Sequence, residues 1–139
     1  MTNREAFHAY LQDVSDRGDF SRWFAHDVLW TTMETGEQVR GREAVRDLVL
    51  FLHTVAFDAR VEVVRELVDG DCAVVEAVFD GTHTGELAGV PPTGRHVRLP
   101  YTVAYDLRDG LITELRAYVS MVALLAQLTG PVPAQAGQA

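Results

Sequence analysis

Two Asp-Gly pairs in the second half of the chain restrict its possible folds more than any other feature. The pairs Asp69-Gly70 and Asp109-Gly110 each separate two runs rich in β-branched and aromatic residues. Such a pair is typical of a two-residue β-hairpin turn, because its residues tolerate the positive φ angles that the turn requires. The pattern therefore predicts two hairpins, made of four long strands at residues 59–68, 71–84, 97–108 and 111–119.

The N-terminal part of the chain has helical periodicity. Thr2 and Glu5 have the spacing of a capping box, and apolar residues then recur at helical spacing until Gly18. Further along, the pattern predicts a short helix around 19–25, a strand at 28–33 and a third helix at 42–55. The Gly- and Pro-rich residues 85–95 are predicted to form a loop between the two hairpins.

Helices that precede a run of long antiparallel strands are typical of the α+β class. We therefore predict a cone in which a curved antiparallel sheet wraps around the N-terminal helices and leaves a blind cavity at its open end. The predicted single domain covers residues 1–129, and residues 130–139 are predicted to form a flexible C-terminal tail.

The composition excludes several classes of partner. The chain has a formal net charge of −8 with dispersed acidic residues, so it lacks the basic surface that nucleic acids or anionic membranes need. The single cysteine, Cys72, and a polar N-terminus without an apolar signal region favour a soluble cytoplasmic protein. All 12 basic residues are arginine, which is typical of a GC-rich genome and suggests an actinobacterial source.

Neither a metal nor an organic cofactor is expected from the sequence. The histidines do not have the spacing of metal ligands, and the only cysteine cannot belong to a cysteine cluster. The chain also has neither a phosphate-binding loop nor the glycine-rich turn of a dinucleotide site. The sequence therefore favours cofactor-free chemistry on a small hydrophobic substrate, or simple binding of such a molecule.

The turn at Asp109-Gly110 predicts which residues of the second hairpin face the cavity. If these two residues alone form the turn, Tyr101 and Tyr105 share the bulkier, concave face with their partners on the last strand and with Ser120. On the last strand Glu114 then faces Tyr105 and Tyr118 faces Tyr101, and Arg116, opposite Val103, lies on the same side of the sheet.

The same reasoning for the first hairpin directs Glu76 towards the cavity, among valines. The opposite side of this hairpin carries charges beside four apolar residues, which are Val64, Val75, Ala77 and Phe79. Because this is more apolar area than a monomer usually exposes, we expect a homodimer.

Three residues are candidates for catalysis, namely Glu76, Arg116 and His53. A carboxylate among valines has a raised pKa unless a cation such as Arg116 pairs with it, so Glu76 is a candidate general acid or base. The alternative is a structural Arg–Glu pair that braces the sheet. His53 lies near the end of the third helix, where it either overhangs the cavity mouth or lies on the surface.

Seven further residues are expected to contact a substrate, although core packing is the alternative for each tyrosine. A β-bulge at one of the flanking glycines would turn His83 inward. The seven are Trp30, Tyr101, Tyr105, Tyr118, Ser120, His83 and Glu114.

Several motifs in this sequence resemble those of the SnoaL-like polyketide cyclases. The resemblance lies in residues 81–86 (GTHTGE) and 89–95 (GVPPTGR), and in the ending Asp109-Gly110…Glu114…Arg116…Tyr118 followed by residues 124–128. Residues 41–44 and 57–58 are also similar. The resemblance implies the nuclear-transport-factor-like cone, a dimer or tetramer formed through the convex sheet, and cofactor-free chemistry in polyketide pathways.

One position departs from the pattern of that family. In the cyclases an aspartate follows the tyrosine of the last strand by two residues and acts as acid–base catalyst in an intramolecular aldol condensation. Here that position is Ser120, which has no proton affinity near neutral pH. Three hypotheses remain: Glu76 or His53 has taken over the role, the cavity acts by shape alone, or the domain binds without catalysis.

The favoured function is therefore a cyclase or isomerase for a polyketide-type intermediate of antibiotic biosynthesis. The alternatives are a non-catalytic binding or accessory domain, and a hydrolase or hydratase of the same fold.

Overall fold

The computed structural model describes residues 1–131, which form three α-helices and one six-stranded sheet. The α-helices are α1 (Asn3–Ser15), α2 (Arg42–Leu50) and α3 (Met121–Thr129). A 3₁₀ helix (Phe20–Trp23) follows α1, and a π-helix (Phe51–Ala56) continues α2. The strands are β1 (Phe24–Thr32), β2 (Gln38–Arg40), β3 (Phe57–Asp69), β4 (Cys72–His83), β5 (His96–Arg108) and β6 (Leu111–Tyr118).

The predicted α+β class is confirmed. The strand order is β2-β1-β6-β5-β4-β3, and the paired strands are antiparallel except for β1 and β6, which makes the sheet mixed. The helices pack in the concavity of this curved sheet, and we call the opposite side of the sheet its convex face. The predicted C-terminal tail lies outside the described residues from position 132 onward.

Helix α1 begins with the predicted capping box. The Glu5 backbone N–H donates to Thr2 Oγ1 at 3.1 Å, and the Thr2 backbone N–H donates to Glu5 Oε1 at 2.9 Å. The helix runs beside the free edge of β3. There Arg4 donates to the Val68 carbonyl at 2.8 Å, and Arg17 donates to the Ala59 carbonyl at 2.7 Å.

A β-bulge in β6 changes the predicted faces of the second hairpin. Arg108 pairs with Leu111 as predicted, but Thr113 is an extra residue, so that Asp106 pairs with Glu114. Because one extra residue inverts the side to which the rest of a strand points, Leu115 and Ala117 fill the concave face instead. The predicted concave position is therefore wrong for Glu114, Arg116 and Tyr118.

The first hairpin is also inverted relative to the prediction. Its turn residues are Gly70 and Asp71, and Val64 is an extra residue of β3, because Arg65 pairs with Glu76 and Val63 pairs with Ala77. On β4 the core residues are Ala73, Val75, Ala77 and Phe79, each at most 9% exposed.

The predicted inward position of Glu76 is therefore wrong, and so is the outward position of Val75, Ala77 and Phe79. The charges of Arg60 and Glu62 suggested a solvated face that continued along both strands. The bulge at Val64 breaks that continuity. Val63, before the bulge, points to the concave face, whereas Arg65, after it, points to the convex face.

Two buried clusters hold the helices against the sheet. In the first, the ring of Phe7 on α1 lies 4.7 Å from the ring of Tyr105 on β5. In the second, Leu124 and Leu128 of α3 pack with Phe57, Phe79 and other residues at the far end of the sheet. The space between the two clusters is incompletely filled.

Helix α3 covers that space and is fastened to β5. The Gln127 side chain donates to the Arg98 carbonyl at 3.0 Å and accepts from the Arg98 backbone N–H at 3.2 Å. Arg95 donates to the carbonyls of Gln127 and Gly130 at 3.2 and 2.6 Å. Within residues 1–131, no helix is long and apolar enough to cross a membrane.

Candidate functional site

A cavity of about 100 Å³ lies inside the cone, between α1, α2, the π-helix, α3 and the concave side of the sheet. Its walls are aliphatic and aromatic, with no carboxylate and no arginine among the described residues that line it. The lining residues with a polar side-chain atom are Tyr10, Trp30, His53, Tyr101 and Tyr105. The cavity is therefore built for an apolar molecule that makes few hydrogen bonds.

The three tyrosines are neutral hydrogen-bonding groups. Burial raises the pKa of Tyr10 to about 12, an effect that the neighbouring Tyr105 hydroxyl partly offsets. Burial also raises the pKa of Tyr101 and of Tyr105 above the ordinary value of 10.0. At neutral pH all three phenols therefore keep their protons. The hydroxyls of Tyr10 and Tyr105 hydrogen-bond to each other, and a phenol whose proton is not used in that bond can donate to a ligand oxygen.

Trp30 contributes mainly its ring to the cavity wall. Its Nε1–H donates to Thr32 Oγ1 at 2.9 Å, so this donor already has a partner. The predicted position of Trp30 at the cavity agrees with the structure. Tyr10 was not selected from the sequence, because its place on the apolar stripe of α1 does not distinguish a cavity residue from a core residue.

Among the described residues that line the cavity, His53 is the one whose ordinary pKa lies near neutral pH. Its Nδ1 lies 2.7 Å from the Val49 carbonyl oxygen, which can only accept, so Nδ1 carries the proton of the neutral ring. Burial lowers the pKa of His53 below the ordinary value of 6.5. The ring is therefore neutral at physiological pH, and Nε2 is left with a lone pair.

The surroundings of His53 leave that lone pair unused. Nε2 is buried and has no hydrogen-bond partner among the described residues. The imidazole ring lies 5.4 Å from the ring of Phe79, which also lines the cavity. His53 belongs to the π-helix that continues α2, a type of irregular turn that is frequent at functional sites.

The lowered pKa of His53 predicts a pH dependence of stability. Between about pH 6.5 and the lowered pKa of the folded state, the unfolded chain binds a proton at His53 that the folded chain does not bind, so the free energy of unfolding falls as the pH falls through this range. We expect a smaller decrease in this free energy between about pH 7 and pH 5 for His53→Leu than for the unaltered protein. Urea unfolding at several pH values measures it, and identical decreases in the two proteins would contradict the prediction.

Two other predicted site residues do not line the cavity. Ser120 is exposed at the N-terminus of α3, where its Oγ accepts from the Ala123 backbone N–H at 3.0 Å and caps the helix. His83 is fully buried, but its Nδ1 accepts from the Thr93 backbone N–H at 3.0 Å and its ring packs on Phe57. The structure gives both residues contacts that support the fold.

The predicted catalytic pair of Glu76 and Arg116 does not form. Glu76 lies on the convex face, where its carboxylate is 3.6 Å from Arg65 and its side chain is 51% exposed. Arg116 is also on the convex face and donates to both carboxylate oxygens of Asp106, at 3.1 and 3.0 Å, and to Glu114 at 2.6 Å. These groups are structural ion pairs on the outside of the cone.

Residues 1–131 hold no cluster of three or more His, Cys, Asp or Glu side chains that could bind a metal ion. The candidate site therefore consists of the apolar cavity, three phenols and one neutral imidazole.

The curved sheet around N-terminal helices, with an apolar cavity inside the cone, places the chain in the nuclear-transport-factor-like class of α+β folds. The profile of the SnoaL-like polyketide cyclases matches residues 5–128, and the chain belongs to that family. No curated protein matches the sequence at a significant level.

Solved structures share this fold. A candidate SnoaL-like polyketide cyclase from Jannaschia sp. CCS1 is 24% identical with a TM-score of 0.82, over 93% of this chain and 92% of that chain. IdmH, a candidate polyketide cyclase from Streptomyces antibioticus, is 26% identical with a TM-score of 0.74, over 92% of this chain and 99% of that chain. A protein with a ketosteroid isomerase-like fold from Catenulispora acidiphila DSM 44928, in complex with trimethylamine, is 21% identical with a TM-score of 0.73, over 94% and 96%.

Proposed function

We propose that this protein is a cofactor-free cyclase or isomerase that acts on a small hydrophobic intermediate of polyketide type. Membership of the SnoaL-like polyketide cyclase family supports the reaction class. The observation that carries the proposal is the apolar cavity whose polar groups are all neutral, namely the phenols of three tyrosines, the indole of Trp30 and the imidazole of His53. Such a cavity binds an uncharged carbonyl compound and excludes bulk water.

The aspartate-dependent mechanism of the family has no counterpart in this cavity. Ser120 caps α3 outside the cavity, and the described lining residues include no carboxylate. We propose that Nε2 of His53 takes the acidic proton of a β-dicarbonyl unit of the substrate, which the enol form carries on oxygen, while a tyrosine O–H donates to the second oxygen of the enolate that forms. The enolate carbon then attacks a second carbonyl, and the proton returns from Nε2 to the new alkoxide.

The cavity must widen to hold such a substrate. At about 100 Å³ it is smaller than the roughly 300–1,000 Å³ of most ligand pockets. Helix α3 contributes Met121 and Leu124 to the lining and is fastened mainly by Arg95 and Gln127. We propose that α3 is displaced from the mouth of the cone when the substrate binds.

A non-catalytic binding domain is the second candidate, and one observation favours it. The pKa of His53 is lowered by burial, which makes Nε2 a weaker base than a solvated imidazole. If no proton is transferred, the cavity still binds an apolar ligand through its walls and its phenols.

Conversion of synthetic β-polyketone chains of increasing length tests the proposal. The purified protein is mixed with each chain, and ring closure is followed by ultraviolet absorbance and mass spectrometry. Ala117→Leu narrows the cavity and is expected to lower conversion at least tenfold, whereas Ala104→Leu, on the convex face of the sheet, serves as the matched control. Binding without conversion favours the binding domain, and equal conversion by the protein and Ala117→Leu excludes the cavity as the site.

We also propose that the protein is a homodimer formed through the convex face. Three apolar side chains are exposed there, Val64 by 60%, Leu67 by 58% and Tyr118 by 50%. Of the four apolar residues that the sequence predicted on this face, only Val64 is among the three, because Val75, Ala77 and Phe79 are buried in the core. Light scattering is expected to give twice the 15.4 kDa of one chain, and a mass of 15.4 kDa at micromolar concentration would contradict the dimer.

A further inference from the structure

His53 has one ring nitrogen whose role is fixed and one whose role is open. The bond of 2.7 Å from Nδ1–H to the Val49 carbonyl holds the ring in one tautomer. Nε2 can therefore only accept a hydrogen bond while the ring is neutral. Nε2 is buried and has no partner in the described residues, so its loss of hydration is not compensated by a hydrogen bond within the protein. A hydrogen-bond donor on a bound molecule would compensate it.

The neighbourhood of His53 narrows the kind of donor that can reach Nε2. Phe79, whose ring packs against the imidazole, has no polar hydrogen, and none of the three cavity tyrosines donates to Nε2. Arg17 lies near enough to act on the charge of His53, but it lines a second pocket and not this cavity. A cationic ligand would lie among apolar walls without a carboxylate to balance it, and an anionic ligand would lack an arginine. The donor must therefore be an uncharged O–H or N–H group of a bound molecule.

The size and shape of the cavity also limit the size and shape of the ligand that it can hold. An apolar cavity of about 150 Å³ is known to hold a benzene molecule, and the cavity here is about 100 Å³ before any widening. The aromatic rings of Trp30, Phe79 and the tyrosines offer flat surfaces on which another ring can pack. The part of the ligand beside His53 is thus a single flat ring or ring-sized segment.

We propose that the cavity selects a neutral ring or ring-sized segment that carries an enolic or phenolic hydroxyl, and that this O–H donates to Nε2 of His53. The proposal rests on the proposed function, in which this cavity is the substrate site, and it specifies the form of substrate that binds. A β-polyketone would bind as its enol, because the keto form has no O–H to donate.

Phenol and toluene are a matched pair of probes for this hydrogen bond. They have the same number of heavy atoms and differ by a hydroxyl in place of a methyl group. Their dissociation constants are measured by isothermal titration calorimetry for the unaltered protein and for His53→Phe. The ratio of the toluene constant to the phenol constant is expected to fall about tenfold in His53→Phe, since the difference in hydration of the probes cancels in this comparison.

Nitrogen-15 NMR of the imidazole rings gives a test that needs no variant. Phenol is expected to shift the Nε2 resonance of His53, whereas toluene leaves it nearly unchanged. His83 is an internal control, because its Nε2 is also buried without a partner but the residue does not line the cavity. An equal response of His53 to both probes would overturn the proposal.

The remaining outcomes separate this proposal from the proposed function. His53→Leu is the second variant if His53→Phe does not fold, and His96→Phe, at an exposed histidine, is the control. If both probes bind and the ratio is the same in every variant, the hydrogen bond to His53 is refuted while the cavity remains a binding site. If neither probe binds the unaltered protein, the cavity is not the ligand site and both proposals fail.

Discussion

Replacing His53 with glutamine is expected to lower the turnover of the proposed cyclisation by roughly 10²–10⁴-fold, the usual contribution of a positioned general base. Glutamine has nearly the reach of histidine and can form hydrogen bonds, but it does not accept a proton near neutral pH. His53 is the one group of the described cavity lining that can do so, because the tyrosine pKa values are raised by burial.

The control for this experiment is on the other side of the sheet. Glu76→Gln is expected to change turnover by less than about twofold, because Glu76 is exposed on the convex face and pairs with Arg65. Circular dichroism and the unfolding midpoint establish that each variant is folded before rates are compared. If His53→Gln keeps full turnover, the cavity acts by shape alone, and if Glu76→Gln is inactive, the assignment of the site to the concave side is wrong.

Removal of the Phe7 ring is expected to lower the free energy of unfolding by about 3–5 kcal/mol, the range for truncation of a buried phenylalanine. Phe7 is fully buried, and its ring lies 4.7 Å from Tyr105 and 6.0 Å from Tyr10. Phe7→Ala therefore removes one of the two aromatic contacts of α1 with Tyr105 on β5, leaving that of Tyr10, and opens a void in the first core cluster. Urea unfolding at neutral pH gives the change in free energy.

Phe51→Ala is the matched substitution for comparison. Phe51 is 39% exposed, so its truncation removes less buried area and is expected to cost about 1 kcal/mol or less. A loss of about 1 kcal/mol or less for Phe7→Ala as well would mean that α1 contributes little to the stability of the cone. Phe7→Ala is also expected to weaken ligand binding more than Phe51→Ala does, because Phe7 packs against Tyr10 and Tyr105, which line the cavity.

Much of the fold could be predicted from local sequence signals. The capping box of Thr2 and Glu5 marks the start of α1, and the turn at Asp109-Gly110 lies where the sequence indicates. These features depend on a few neighbouring residues, so a short stretch of sequence is enough to identify them. The parallel pairing of β1 with β6 depends on strands far apart in the chain and had no such signal.

The faces of the strands could not be predicted, because they depend on two single-residue bulges. Val64 and Thr113 each add one residue to a strand, and neither residue type marks a bulge in the sequence. Each bulge inverts the side to which the following residues point. Glu114 and Arg116 are misplaced for this reason, whereas Tyr101 and Tyr105 lie on β5, which has no extra residue, and were placed correctly.

The position of His53 was left open by the sequence for a different reason. The helical spacing of residues 42–55 is that of a regular α-helix, in which His53 lies just off the apolar stripe. In the structure α2 gives way to a π-helix after Leu50, which changes the direction of the side chains that follow. This change brings His53 to the cavity wall.

The placement of α1 beside β3 has a consequence for how the protein behaves in a crowded solution. A long strand at the edge of a sheet is a template on which other chains can add strands and aggregate. Arg4 and Arg17 occupy carbonyl groups at both ends of the β3 edge, and the opposite edge of the sheet is the three-residue β2. These contacts shorten the stretch of the β3 edge to which a strand of another chain can pair, which lowers the tendency of the folded protein towards amyloid-like growth.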